Sequence, residues 1–561
     1  MEAAVSVNQN PAARASPFSP LRYGTFRAVW VAILISNFGG LIQSVGAAWL
    51  MTSLTGSAGL VALVQASTTL PIMLFSLAAG AIADNYDKRA VMLVAQGFMI
   101  AVSVALAGCA YLGLITPWIL LIFTFLIGCG TALNNPAWQS SVRDMVPRQD
   151  LPQAIALNCV GMNIARSVGP ALGGMIVAVA GAAVAFAVNA VSYLVLIVVL
   201  FRWRPERHPR LLPPESLGAA MGAGIRFVAM SPTIRTVLFR AFVFGLAGSA
   251  IQALMPLVAR DLIRGGPVTF GLLLGAFGLG AVGGGLFSSR IRQARGAEGL
   301  VRQSFIGFAV CALVTAFSAN TALTMLAMAL GGACWVLALS SFNVAVQVSS
   351  PRWVVGRTLA LYQTAAFGGM AVGSWTWGLL AERFSISEAL ALSALVHLLA
   401  VLVGLRWVLP NDEGANLEPL NRWREPSLGL EIQHRSGPIV VTIEYRIREE
   451  DVPEFLALMA ERRRIRRRDG ARHWHLLRDL AEPELWTERY DTPTWLDYMR
   501  QAQRITQADA RIVDRLRELH RGTEPPRVRR RIERQPVSTS PEVGYSHETD
   551  YYPTDPTQSP S

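Results

Sequence analysis

Charge is scarce in this chain, and most of it lies outside the apolar segments. Only 16% of the 561 residues are Asp, Glu, Lys or Arg, and Lys88 is the single lysine. The sequence has no G-x-x-x-x-G-K-[ST] motif, which an ATPase of the P-loop type needs to hold the nucleotide phosphates. These two features argue against an ATP-driven pump.

Cysteines with a pairing or metal-binding pattern are also missing. Cys109, Cys129, Cys159, Cys311 and Cys334 each fall singly within an apolar segment. That pattern predicts free thiols that act as small packing residues, so we expect no metal and no cofactor. The middle of the apolar segments also lacks Asp and Glu, so no carboxylate stands out as a carrier of coupled protons.

Long apolar runs dominate the chain instead, and 52% of the residues are hydrophobic. A bilayer leaves the backbone no water to bind, so a spanning segment must be a helix of about 20 mostly apolar residues. About twelve stretches approach that length. The predicted spans are 26–50, 59–83, 91–111, 117–138, 151–179, 182–201, 236–258, 270–287, 304–317, 321–342, 359–380 and 389–405.

Basic residues are concentrated in one set of alternate loops, which we call the arginine-rich loops. They hold Arg22, Arg27, Lys88, Arg89, Arg143, Arg148, Arg202, Arg204, Arg207, Arg210, Arg290, Arg292, Arg295, Arg302, Arg352 and Arg357. The opposite loops hold only Arg260, Arg264 and Arg383. Because cytoplasmic loops retain Lys and Arg, both termini are predicted to be cytoplasmic. The polar first twenty residues do not resemble a secretory signal.

The chain matches itself when it is shifted by 204 residues. Gly80 then coincides with Gly284, and Gly169 coincides with Gly373. Pro147-Arg148 coincides with Pro351-Arg352 as well, and Ala156-Leu157 with Ala360-Leu361. We therefore predict two six-helix halves in parallel duplication, an arrangement typical of transporters that rock about a central site.

The predicted fold is an all-α membrane protein with twelve transmembrane helices in two pseudo-symmetric bundles, followed by a small cytoplasmic α+β domain. The predicted segments are an N-terminal tail 1–20, a first bundle 21–202, a linker 203–233, a second bundle 234–408, a linker 409–436, a ferredoxin-like domain 437–533 and a disordered tail 534–561.

A first family resemblance lies in the loop after the second span. The run Gly80-Ala-Ile-Ala-Asp84-Asn-Tyr-Asp87-Lys88-Arg89 resembles the loop between helices two and three of the major facilitator superfamily. Asn85 stands where that family usually has Arg, which alters the expected partners of Asp84. The resemblance implies a conformational gate, since a carboxylate at a helix end can hold one state through an attraction that the cycle breaks. The alternative interpretation is a plain basic loop.

The fifth span carries a second resemblance. Ala165, Gly169, Pro170, Gly173 and Gly174 resemble the helix-five signature of drug and proton antiporters in the same superfamily. Small residues allow close helix approach and Pro bends a helix, so the stretch suits a bending interface. The resemblance implies export coupled to protons. Ordinary small-residue packing is the alternative.

A third run resembles one branch of that superfamily, which contains enterobactin-type siderophore exporters and macrolide-efflux-like proteins. The run joins Asn135-Pro136-Ala137-Trp138-Gln139 to 144–151 and 156–158. It implies secondary active export of amphipathic small organic molecules, of siderophore, macrolide or drug type, across the bacterial cytoplasmic membrane. No nucleic acid is expected as a partner.

Arg166 is the most unusual single residue, because it lies midway along a predicted span. An unpaired cation at that depth costs several kcal/mol unless it faces water or a partner. We predict that it lines the substrate cavity, and a structural anchor to backbone carbonyls is the alternative. The other cavity candidates are Asn37, Gln43, Asn134, Asn163, Gln252, Asn343 and Gln363.

After residue 437 the pattern predicts a soluble βαββαβ domain with strands 438–447, 471–480, 485–490 and 528–532 and helices 452–465 and 494–519. This order resembles ferredoxin-like α/β-barrel domains that dimerise, including small monooxygenases. We expect an assembly or regulatory module that can form a homodimer, and a membrane-tethered enzyme is the alternative. The basic run 462–468 predicts either contact with anionic lipid or a solvated helix face.

Overall fold

The computed structural model describes residues 18–147, 149–204, 217–351, 353–409, 417, 420, 426 and 428–534. Most of the predicted N-terminal tail and nearly all of the predicted disordered end therefore lie outside the described residues. The chain forms two compact units. The first unit comprises 1–221, 233–346 and 359–412, and the second comprises 222–232, 347–358 and 413–561.

The first half of the membrane domain contains five long helices. They are α1 Gly24–Leu54, α2 Ala58–Asn85, α3 Lys88–Tyr111, α4 Pro117–Ser141 and α5 Leu151–Arg202. Gly181 breaks α5 into two arms, because its φ of 79° is a left-handed conformation that glycine adopts without strain. The arms correspond to the predicted fifth and sixth spans.

The second half follows a short apolar helix, α6 Leu217–Met230. Its long helices are α7 Pro232–Leu257, α8 Pro267–Phe317, α9 Thr321–Val348, α10 Val355–Arg383 and α11 Ile386–Arg406. Gly296 interrupts α8 in the same way as Gly181 interrupts α5, with a φ of 70°. The arm of α8 that follows this bend begins at residue 297, before the predicted span 304–317, because its first turns carry the charged residues Glu298 and Arg302.

The twelve-helix prediction is confirmed. Within the described residues, ten helical segments are long and apolar enough to cross a bilayer. One of these, Gln153–Arg202, contains the bend at Gly181 and supplies two spans. The twelfth is α10, which has 29 residues but is less apolar than the others, because Gly, Ser, Thr, Gln, Trp and Tyr interrupt its apolar residues.

The two halves repeat the same helix packing. In the first half Gly169 of α5 packs against Leu41 of α1, and a Cβ at Gly169 would lie 3.0 Å from that side chain. In the second half Gly373 of α10 packs against α7, where a Cβ would collide with the carbonyl oxygen of Leu246. Since α10 and α7 are the counterparts of α5 and α1, the duplication read from the sequence corresponds to repeated contacts between backbones.

Among the described residues, the apolar core joins the halves at one end of the bundle and not at the other. We call the end of the bundle that carries the α2–α3 loop the arginine-rich end. At the opposite end, residues 45–64 and 102–127 of the first half share one core with the second half. At the arginine-rich end, residues 26–32, 83–92, 137–157 and 196–203 form a separate core of the first half.

The C-terminal domain is a four-stranded antiparallel sheet with helices. Its elements are β1 Ile439–Arg446, α12 Val452–Asp469, β2 Arg472–Arg478, β3 Leu485–Thr492, α13 Trp495–Gln503, α14 Gln507–Leu519 and β4 Arg527–Ile532. The strand order β2-β3-β1-β4 agrees with the predicted βαββαβ arrangement. The single helix predicted over 494–519 is two helices, because Thr506 starts a new helix through a reciprocal capping box with Asp509.

A buried ion-pair cluster lies inside this domain. The Glu488 carboxylate is fully buried and accepts hydrogen bonds from Arg462 Nε at 2.7 Å, Arg466 Nε at 3.3 Å and Trp474 Nε1 at 3.0 Å. Burial alone would raise the pKa of Glu488, but the two guanidinium groups outweigh it and hold the pKa below its usual range. Two arginines of the basic run 462–468 therefore point into the domain. The prediction that the whole run contacts lipid or solvent is wrong for these two residues.

We expect Glu488→Gln to destabilise the C-terminal domain by roughly 3–5 kcal/mol, because it leaves two guanidinium groups without their buried anion. Hydrogen exchange of the full chain should then quicken in β1 and β3. Glu461→Gln is the matched control, since Glu461 pairs with Arg464 where both side chains are about half exposed. Equal exchange in the two variants would contradict the prediction.

Candidate transport site and gate

The α2–α3 loop begins a network that holds the first half together. Asp87 caps α3 by accepting a hydrogen bond from the backbone N–H of Arg89 at 2.9 Å. Lys88 Nζ donates to Asp144 Oδ2 at 2.9 Å and to the Ser140 carbonyl at 3.1 Å. Lys88 thereby links the start of α3 to the end of α4.

Arg89 extends this network to the end of α5. Its Nε and Nη2 atoms donate to the carbonyl oxygens of Leu200 and Phe201, both at 2.9 Å. Both carbonyls lie at the negative end of α5, where a cation is stabilising, and the Leu200 carbonyl also accepts from the Trp203 N–H at 3.2 Å. Gly80 lies in α2 near this loop, and the side chain of Asp84 is outside the described part of the chain.

Asp150 forms a second network at the same end, which sequence analysis included only within the third resemblance. Its carboxylate accepts hydrogen bonds from Tyr23 Oη at 2.7 Å, Ser19 Oγ at 2.8 Å and Arg22 Nη2 at 2.8 Å. The hydrogen bonds from Tyr23 and Ser19 are the main reason that the pKa of Asp150 lies below its usual range. The start of α1 is thus fastened to the start of α5.

The helix-five residues contact α8 of the other half. A Cβ at Gly174 would collide with the Pro267 carbonyl, and a Cβ at Gly271 would lie 2.5 Å from the Pro170 carbonyl. Gly173 faces α1 instead, where an added Cβ would lie 3.0 Å from the Cα of Ile42, and Ala165 is fully buried. The motif therefore packs on both sides. Its partners on α8, Gly271, Gly275 and Gly278, were not singled out, although their spacing along one helix face was a readable signal.

The backbone of Arg166 takes part in this contact between the halves. Its carbonyl oxygen would collide with a Cβ on Gly278, while its side chain is exposed. Among the described residues the guanidinium has no hydrogen bond and no ion pair. Asn163 lies three residues earlier and is partly exposed. Toward the arginine-rich end, the same side of α5 exposes residues 155, 156 and 159.

The other predicted cavity residues differ in their surroundings. Gln43 is buried within the first half, where its Oε1 accepts hydrogen bonds from Ser103 and Asn189. Asn134 accepts from Gln96 Nε2 at 3.1 Å. Gln252 accepts from Gln65 Nε2 at 3.4 Å and so joins α7 to α2. Asn37, Asn343 and Gln363 are partly buried on α1, α9 and α10.

Polar contacts also join the halves outside the α5–α8 interface. At the end opposite the arginine-rich one, Arg260 Nη1 donates to the Thr52 carbonyl at 2.6 Å. Glu382 accepts from Ser57 Oγ at 3.1 Å and from a backbone N–H of α2. Further along, the hydroxyls of Ser76 in α2 and Thr364 in α10 lie 2.8 Å apart.

A buried ion pair in the second half was missed by sequence analysis. The Arg240 guanidinium pairs with the carboxylate of Glu298, joining α7 to the second arm of α8. Arg240 Nη1 also donates to the Trp407 carbonyl at 3.2 Å, and Glu298 Oε2 accepts from the Leu409 N–H at 2.9 Å. The available signal was Arg240 itself, a cation within a predicted span.

Comparison with known proteins matches this architecture. A family model described as transmembrane secretion effector matches residues 15–537. This chain belongs to that family. Its relatives include a staphyloferrin A transporter of Staphylococcus aureus, 22% identical over 65% of this chain and 91% of the relative. They also include an enterobactin exporter of Citrobacter koseri, 26% identical over 72% and 94%. A third is a multidrug efflux pump of Mycolicibacterium fortuitum, 26% identical over 68% and 95%.

Solved structures establish the fold independently. The crystal structure of a nucleoside transporter superposes with a TM-score of 0.55 at 11% identity, covering 68% of this chain and 98% of that one. An inward-facing, occupied bacterial homologue of the human lysosomal transporter Spinster superposes with a TM-score of 0.56 at 12% identity, covering 70% and 98%. The fold is that of the major facilitator superfamily, and this chain is a multi-pass membrane protein.

We expect Asp150→Asn to lower the thermal unfolding midpoint at pH 7, because the three hydroxyl and guanidinium donors lose their charged acceptor. Since the folded-state pKa is lowered, this stabilisation is present above the unfolded-state pKa and is lost as the pH falls through the folded-state pKa. Variant and parent should therefore converge in acid. Asp261→Asn is the control, since Asp261 pairs only with its neighbour Arg260 at an exposed site.

Proposed function

We propose that this protein is a secondary transporter that exports amphipathic small organic molecules across the bacterial cytoplasmic membrane by alternating access. The observation that carries the proposal is Arg166, an exposed cation of α5 beside α8, whose guanidinium has no hydrogen bond or ion pair among the described residues. Relatives named as siderophore transporters and a multidrug pump support this class of substrate.

The two halves have the features that rocking requires. Each half is tied internally, the first by Arg89 and Asp150 and the second by Arg240. In the part of the chain that the structure describes, the halves share an apolar core at one end, so we propose that the other end opens and closes by movement of whole bundles. We propose that the arginine-rich end and both termini face the cytoplasm, which follows from the positive-inside rule.

Arg166 is proposed to bind an anionic or strongly polar group of the substrate. A guanidinium presents several donors in one plane and binds carboxylates and similar anions through paired hydrogen bonds. Asn163, one turn away, adds an amide to the same side of α5. Glycines on the facing helix bring the two backbones together there, so binding would occur at the boundary between the halves.

Proton antiport is the proposed coupling mode, and it rests on the helix-five resemblance. His397 is not proposed as the carrier, because it is fully buried among Phe244, Phe305 and Phe308, and its Nδ1 donates to the Ser393 carbonyl at 2.9 Å.

An enzymatic role for the C-terminal domain is not proposed. The family model extends to residue 537, so the domain lies within the matched length of a transporter family. A homodimer through this domain stays a prediction.

Transport by reconstituted protein tests the site. We expect Arg166→Ala to lower the transport of anionic substrates by about tenfold, equivalent to about 1.4 kcal/mol. Arg166→Lys should retain part of the activity because it keeps the charge. The assay would follow a panel of siderophores, macrolides and hydrophobic dyes in liposomes under an imposed pH gradient.

Arg202→Gln is the matched control, since it removes an exposed arginine at the end of α5 and leaves the α5–α8 boundary intact. Asp84→Asn tests the proposed gate in the same assay, and an uncoupler tests proton coupling. Transport of every compound at the parental rate in Arg166→Ala would show that the cavity role is wrong.

A further inference from the structure

The second unit contains more than the C-terminal domain. It also includes residues 222–232, which form the latter part of α6 and the start of α7, and residues 347–358, which connect α9 to α10. These two segments come from the chain of the membrane domain. Their presence in one compact unit with the C-terminal domain means that the domain binds both of them.

Two arginines of the C-terminal domain contact aromatic rings of these segments. The Arg504 guanidinium lies 4.2 Å from the centre of the Trp353 ring, and that of Arg468 lies 5.7 Å from the Phe227 ring. The two rings pack edge to face, 5.7 Å apart and at 85°. Phe227 is only 3% exposed. Such stacking of guanidinium on aromatic rings is an attractive contact that strengthens when water is excluded.

The end of α12 positions both arginines. Arg504 Nη1 donates to the Asp469 carbonyl at 2.8 Å, and Arg468 pairs with the carboxylates of Asp469 at 2.9 Å and Asp509 at 2.8 Å. Gly470 ends α12 with a φ of 116°, a left-handed conformation that glycine adopts without strain because it has no side chain. Arg226 of α6 completes the contact by donating to the Arg468 carbonyl at 3.4 Å.

The binding surface combines a buried ion pair with close packing of the backbone. Burial raises the pKa of Asp469 while Arg468 opposes that rise, so the cation is needed to keep the carboxylate charged at this surface. Gly224 lies so close to Arg357 that a Cβ there would be 2.8 Å from the arginine Cβ. The α6 segment and the α9–α10 segment therefore contact each other as well as the C-terminal domain.

We propose that the C-terminal domain is an intramolecular clamp that fastens the linker between the halves to the α9–α10 segment and thereby restrains transport. Because residues 222–232 are held against residues 347–358 and the C-terminal domain, residues 203–221 are the part of the linker between the first half and the clamped segment. A shorter free linker restricts the rocking that alternating access requires. The restraint rests on the proposed transport function, whereas the binding surface does not.

Retention after cleavage tests the binding surface. A protease site is inserted in residues 410–427 of the full chain, and the protein is cut in detergent and recovered through an N-terminal tag. We expect the released domain to stay bound to the membrane fragment. Trp353→Ala and Arg504→Ala should each lower the retained fraction at least fivefold.

Trp353→Ala keeps the test valid because Trp353 lies outside the domain and its loss cannot unfold the domain core. Arg478→Ala is the matched control, since Arg478 stacks 5.1 Å from the centre of the Trp486 ring within the domain itself. It should retain the domain as the parent does. Equal retention in Trp353→Ala, Arg504→Ala and the parent would overturn the proposed surface.

Turnover of the uncut Trp353→Ala variant tests the restraint. We expect the maximal transport rate to rise about threefold with an unchanged KM, since substrate binding at α5 is untouched. Loss of retention without a change in rate would reject the restraint while leaving the surface in place. Absence of transport in the parent would instead reject the proposed function, and the retention result would still stand.

Discussion

The membrane provides no water for a buried polar group, and this constraint explains how the molecule uses its few charges. Arg240 satisfies it with a carboxylate and a backbone carbonyl, and Gln43 satisfies it with two neighbouring donors. Arg89 satisfies it at a helix end. Each of these groups consolidates one half of the bundle. Arg166 is different, because its guanidinium lies at the boundary between the halves without such a partner.

Glycines form the interface between the two halves. Helices in a bilayer gain little from apolar burial against one another, so they associate through close backbone contact. The α5–α8 interface is built from Gly174, Gly271 and Gly278, and the carbonyl oxygens of Pro267, Pro170 and Arg166 are their nearest neighbours. Such an interface has few side chains that would have to disengage when the halves move. Rigid halves and an interface with few interlocking side chains both favour the rocking of one half against the other.

Much of this could be predicted from sequence, for identifiable reasons. Apolar length gave the helices, because the bilayer fixes how long a span must be, and the shift of 204 residues revealed the duplication. The helix start before Glu298 was missed because charged residues extend the helix beyond the apolar stretch. The Arg240 pair was missed because its carboxylate, Glu298, lies on another helix 58 residues further along the chain and outside the apolar stretch that marked that span. The inward turn of Arg462 and Arg466 was missed because a run of arginines gives no sign of the single glutamate on another strand that pairs with two of them.

The unpaired state of Arg166 has a consequence for the order of events in transport. While the site is hydrated, water satisfies the guanidinium and the cost of its position is small. Closing the halves around an empty site would remove that water and leave a cation without a partner, at a cost of several kcal/mol. An anionic substrate removes that cost, because it replaces the lost water with a charged acceptor. The substrate would then bind the closed state more tightly than the open state. A ligand shifts a conformational equilibrium only through such a difference in affinity, so substrate binding would favour closure. A single residue can in this way link recognition to movement, provided that the rest of each half is already satisfied internally.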